Sequence, residues 1–194
     1  MNIQANIIAI LKELEHNSSS LDNKSLTELV QLLLGAQKQH IFLAGSGRSG
    51  IFLRAFSNRL MHLGYSVSNV GEITSPRSNP GDLLIIGSGS GETGSLVSLA
   101  QKAKKNQVKI ILITMDHNST IAKLADCIVV LPGVSPKLSV EMQNNCETYF
   151  TSVQFGASAF EQMCMLAYDA VIMELKDKLG KSADDMFALH ADFE

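Results

Sequence analysis

The sequence predicts a three-layer α/β/α sandwich: a five-stranded parallel sheet with additional helices at both ends of the chain. Three observations carry this. Short apolar runs alternate with segments of helical periodicity, the pattern of successive βαβ units. The runs are apolar throughout instead of alternating, so their strands are expected to be covered on both faces. Two of the runs end in glycine-serine turns that lead directly into a helix.

Taken in order, Ile3 to Leu14 places Ile3, Ile7, Ile10, Leu11 and Leu14 on one helical face. After the Asn17–Ser20 break, a second helix is expected from about Asp22 to Gln37, stopping near Gly35. His40 to Ala44 is the first strand, followed by a helix from Ser49 to about Leu63. Tyr65 to Val70 and Asp82 to Ile86 are the second and third strands, and Thr93 to Asn106 is the next helix. Val108 to Thr114 is the fourth strand, Thr120 to Leu124 a short helix, and Cys127 to Leu131 the fifth strand. A long helix is expected from about Glu147 to Lys178. The reading is one domain: N-terminal helices over 1–38, an α/β core over 39–146, and a helix with a C-terminal tail over 147–194.

Composition narrows the function. The 194 residues are 45% hydrophobic, which suits a globular core and excludes a disordered chain. Only 18% are charged, against about 25% in an average domain, so part of the surface is expected to be covered by further copies of the chain, as a homotetramer. A net charge of -3 argues against a nucleic-acid partner, which calls for a basic stripe. No apolar run is long enough for a membrane span. The start Met1-Asn2-Ile3-Gln4 lacks the basic residues of a secretion signal, so a cytoplasmic protein is expected. Cys127, Cys146 and Cys164 show no metal or disulfide spacing. Asp116-His117 has no further ligands at metal spacing, so no metal site and no cofactor are expected.

Two loops carry the chemistry. Gly45-Ser46-Gly47-Arg48-Ser49-Gly50 matches GxGxxG, but the following strand ends in Ser68-Asn69 instead of the acidic residue a dinucleotide ribose requires. Ser88-Gly89-Ser90-Gly91-Glu92-Thr93 combines glycines and hydroxyls at a helix start, where free N–H groups and the helix dipole favour an anion. A single helix cap would account for one of these hydroxyls, not for Ser88, Ser90 and Thr93 together. Without GK[ST] this is not a nucleoside triphosphate loop.

With Arg59 to Gly64, Gly71-Glu72, Thr74, Pro76, Gly81 to Ile85, Ala125-Asp126 and Phe160-Glu161-Gln162, these loops resemble the sugar isomerase (SIS) domain. Within it they are similar to the 6-phospho-3-hexuloisomerase family, over nearly the whole chain. The resemblance implies a flavodoxin-like SIS fold, a sugar-phosphate substrate, and conversion of 3-hexulose 6-phosphate to fructose 6-phosphate through an enediolate, a step of formaldehyde fixation in the ribulose monophosphate pathway. Phosphate binding then falls to Ser46, Gly47, Arg48, Ser49, Ser88, Gly89, Ser90 and Thr93. The resemblance makes Glu161 the base, in an apolar neighbourhood of Ala157, Ala159, Phe160, Met163 and Met165. It makes His190 a second acid/base group, in its own site or a neighbouring subunit's. The family's usual Gln-Pro-Met-Gly is here Gln154-Phe155-Gly156-Ala157, and its terminal Arg-His-Ala-Asn-Leu-Glu is Leu189-His190-Ala191-Asp192-Phe193-Glu194. Two alternatives stand beside this reading: another SIS isomerase, such as one for arabinose 5-phosphate, or a non-catalytic phosphosugar sensor.

Overall fold

The computed structural model describes residues 2–135 and 152–192. Helix α1 (Ile3–Ser18) starts where the Asn2 side chain accepts from Ala5 N, and α2 (Asn23–Gly35) starts where Asp22 accepts from Lys24 N and Ser25 N. Then follow β1 (His40–Gly45), α3 (Gly47–His62), β2 (Ser66–Asn69), β3 (Leu83–Gly87), α4 (Gly94–Lys105) and β4 (Lys109–Thr114). A single 3₁₀ turn (Ala122–Leu124) stands where a short α-helix was expected, ahead of β5 (Cys127–Val130). The chain continues with α5 (Ser158–Lys178) and a short α6 (Ala183–Phe187), which periodicity does not reveal.

All five strands are parallel, in the order β2-β1-β3-β4-β5. The alternation of side chains sorts the core into two layers. Ile41, Leu43, Leu83, Ile85, Ile111 and Ile113 pack under α2, α3 and α5, where Leu33, Phe56, Phe160 and Tyr168 are buried. Phe42, Ala44, Leu84, Ile86, Ile110 and Leu112 pack under α4 and the 3₁₀ turn. The expected three layers are therefore present.

The start of the long helix differs from the sequence reading. The long helix starts at Ser158, not near Glu147; residues 152–157 form turns, and Gly156 takes φ +60, a left-handed conformation that breaks a helix. Residues 147–151 and Cys146 lie outside the described residues. Helix α1 packs along α5 yet has no buried residue; Ile10 and Leu14 are half-buried, while Ile3 is 80% and Leu11 60% exposed, so part of its apolar face is left uncovered by the described residues. Among the described residues no helix is long and apolar enough to cross a membrane.

Candidate active site

The chain leaves β1 towards one edge of the sheet through β2 and returns to build β3 on the other side of β1. Such a reversal parts the loops at the carboxyl ends of the two strands and opens a crevice between them. The register aligns Gly45 with Gly87, so both glycine-serine loops emerge at the same level. A cleft of about 420 Å³ lies there. Ser46, Gly47, Arg48 and Ser49 line one side, Ser88, Gly89, Ser90 and Thr93 the other, and Glu161 closes the space from the first turn of α5. Nine of the ten residues singled out from the sequence thus meet in one cavity.

Backbone packing sets the loop shapes. A Cβ on Gly45 would lie 2.7 Å from Gly50 Cα, so only two glycines allow this strand-to-helix turn. At Gly91, φ is +62 and a Cβ would run into the Ser119 side chain. The second loop is tied down on its carbonyl side: Met115 N and Thr114 Oγ1 both donate to Gly89 O, at 2.9 and 3.0 Å, and Ile121 N donates to Gly91 O. Glu92 accepts from Thr120 N at 2.6 Å and links this loop to the one after β4. With the carbonyls turned into the protein, the N–H groups of Gly89 and Ser90 find no acceptor among the described residues.

The hydroxyls are disposed in two ways. Ser88 is buried and accepts from Gly91 N, and Ser90 accepts from Glu92 N, so these two also shape the loop. Ser46 and Thr93 occupy the N-cap positions of α3 and α4 but make no side-chain cap hydrogen bond. Two helix N-termini, each with uncommitted first-turn N–H groups, thus face one cavity. That arrangement suits a multiply charged anion such as a phosphate monoester.

Glu161 is the carboxylate of this cleft. Its side chain is 12% exposed, and its Oε2 lies 2.7 Å from Arg48 Nε. The apolar surroundings expected from the sequence are present, with Phe160 and Met163 buried on either side, but the carboxylate is ion-paired. His190 is elsewhere. Its ring stacks on His62 at 5.3 Å and lies 5.7 Å from Phe187. His62 ends α3, about 22 Å along the helix from Gly47 at 1.5 Å per residue. The structure does not bring His190 to the cleft of its own chain.

The cleft also contains Met115 and Ser135, which motif reading missed, and Phe155, Gly156 and Ala157 just before α5, where the sequence departs from the family's usual pattern. Ser135 follows β5, and the rule that ligands gather at the carboxyl ends of parallel strands points to that loop as well. Phe155 is 95% exposed at the rim. The thiols stay out of the chemistry: Cys127 and Cys164 are buried, and burial pushes each up to about 12. Among the described residues no group of three or more His, Cys, Asp or Glu could hold a metal ion.

The fold and the cleft define a flavodoxin-like α/β protein with a hydroxyl-lined cleft at the switch point of its sheet. The chain belongs to the SIS domain family, whose model matches residues 34–159. It is 40% identical to the 3-hexulose-6-phosphate isomerase of Bacillus subtilis, with 97% of each chain covered. It is 32% identical to the enzyme of the same name from Mycobacterium gastri, covering 100% of this chain and 92% of the relative. Among solved structures it is similar to a Methanococcus jannaschii protein for which a 3-hexulose-6-phosphate isomerase function was inferred, with TM-score 0.71, 30% identity, and 98% and 96% of the two chains covered.

Proposed function

We propose that this chain is a 3-hexulose-6-phosphate isomerase. The observation that carries the proposal is the meeting, in one cleft, of two hydroxyl-rich helix N-termini with the sheltered carboxylate of Glu161. The similarity to enzymes of that name supplies the substrate.

The reaction moves a ketone from C3 to C2 and balances within the substrate. Glu161 takes the proton from C2, the electron pair forms an enediolate across C2 and C3, the O2 hydroxyl proton passes to O3, and the proton held by Glu161 returns to C3, which leaves the ketone at C2. No hydride acceptor enters this balance. The phosphate sits between the loops, held by the hydroxyls of Ser46, Ser49, Ser88, Ser90 and Thr93 and by the N–H groups of Gly47, Arg48 and Gly89. Binding energy from this non-reacting group places C2 against the base. His190 reaches the cleft of a neighbouring subunit, where it protonates an oxygen or, in the reverse direction, opens the fructose 6-phosphate ring. A homotetramer accounts for the uncovered apolar face of α1, and the whole chain acts as one cytoplasmic SIS domain.

The test is incubation with hexulose, pentulose and hexosamine phosphates and identification of the products. Fructose 6-phosphate formed from the 3-hexulose ester is the expected result. Turnover of arabinose 5-phosphate in its place would move the assignment to another SIS isomerase, and no turnover of any ester would leave a sensor.

A further inference from the structure

Arg48 is the second residue of α3, within the first turn, where the helix dipole disfavours a cation. Local helix stability therefore does not account for an arginine here. Two contacts fix its side chain. The guanidinium carbon lies 5.8 Å from the centroid of the Phe52 ring, one turn further along α3, and Nε lies 2.7 Å from Glu161 Oε2. The partners differ in exposure, 55% for the Arg48 side chain against 12% for Glu161. An arginine that open to water is solvated without a partner. A carboxylate that sheltered depends on one to satisfy its oxygens and fix its orientation. The dependence therefore runs from Glu161 to Arg48. Arg48 lines the cleft beside the hydroxyls, and its Nε is engaged by the Glu161 carboxylate.

We infer that Arg48 is a positioning residue, which holds the Glu161 carboxylate in its working orientation and acts on the reaction through that group, not as a phosphate ligand. The inference rests on the isomerase reading in which Glu161 is the base. Its consequence is a separation of effects. Removing the side chain should slow proton transfer and leave phosphate affinity alone.

The experiment compares Arg48→Met and Arg48→Lys with the wild-type enzyme, using turnover, inhibition by inorganic phosphate, and the side-chain Nε–H signals in ¹⁵N-edited NMR spectra. The chain has only four arginines (48, 54, 59 and 77), so the signal lost in Arg48→Met identifies itself. Arg48→Met should lower kcat about 10- to 100-fold, as expected for a misplaced reacting group. The phosphate inhibition constant should change by no more than about twofold, because uniform binding is untouched. Arg48→Lys should recover part of kcat. In the ligand-free protein, Glu161→Gln should shift the Arg48 Nε–H signal. Phosphate inhibition weakened in step with the loss of turnover would overturn the inference, as would an Arg48 signal indifferent to Glu161→Gln. If the wild-type protein isomerises no sugar phosphate, the functional reading fails by itself, and the NMR arm still decides whether Arg48 holds Glu161.

Discussion

If Glu161 shuttles the proton, Glu161→Gln removes basicity while keeping length and hydrogen-bonding capacity. The geometry indicates how cleanly the two separate. The amide oxygen of glutamine can occupy the position of Oε2, 2.7 Å from Arg48 Nε, so the side chain need not move. The lost ion pair has one partner that is 55% exposed, which places its contribution to stability within about 1 kcal/mol. The phosphate loops belong to other segments, tied down at Gly89 and Gly91, and do not depend on the carboxylate. The loss should therefore fall on kcat, on the order of 10² to 10⁴ for an acid/base group. That corresponds to about 3 to 5 kcal/mol of transition-state stabilisation. KM should remain within about threefold of the wild-type value. The assay is turnover together with exchange of the C2 proton in deuterated water, followed by NMR. Both rates should fall in parallel, since abstraction is common to them. Near-normal turnover and exchange in Glu161→Gln would refute the assignment and make His190 the first residue to examine.

Ser90→Ala with Thr93→Val should raise KM by roughly 10-fold or more for each hydrogen bond to the charged phosphate that is lost, and should weaken competition by inorganic phosphate; equal turnover of an unphosphorylated sugar would contradict this. Gly91→Ala places a side chain at φ +62 and against Ser119, a cost of about 1–3 kcal/mol. Thermal unfolding should show it as a fall of roughly 2–12 °C in Tm for a chain of this size. Inactive Glu161→Gln and His190→Ala proteins, mixed after dissociation and reassociated, should regain activity if His190 serves a neighbouring cleft; no recovery would refute that role between subunits. Sedimentation should give an oligomer, and a stable, fully active monomer would refute the covering of α1 by other copies.

The fold class and the glycine-serine loops that line the cleft were legible because both depend on local chemistry. Buried parallel strands need continuous apolar runs, and Ile41 to Ala44, Leu83 to Ile86 and Ile110 to Ile113 show them without reference to any partner. A helix N-terminus that receives an anion needs glycine and hydroxyl residues adjacent in sequence, so Ser46 to Ser49 and Ser88 to Thr93 could be found by reading along the chain. What no local pattern contains is distance across the fold. The pairing of Arg48 with Glu161, 113 positions further on, exists because α3 and α5 pack side by side over the same face of the sheet. The retreat of α5 to Ser158 depends on a left-handed turn at Gly156, a conformation that glycine permits but does not announce. The separation of His190 from the cleft depends on the α6 tail folding back onto His62 at the far end of α3. The sequence by itself determined which groups have the chemistry to bind an anion or move a proton, because those are properties of residues. Only the tertiary structure decided which of them meet, because meeting is set by the packing of elements remote from one another along the chain.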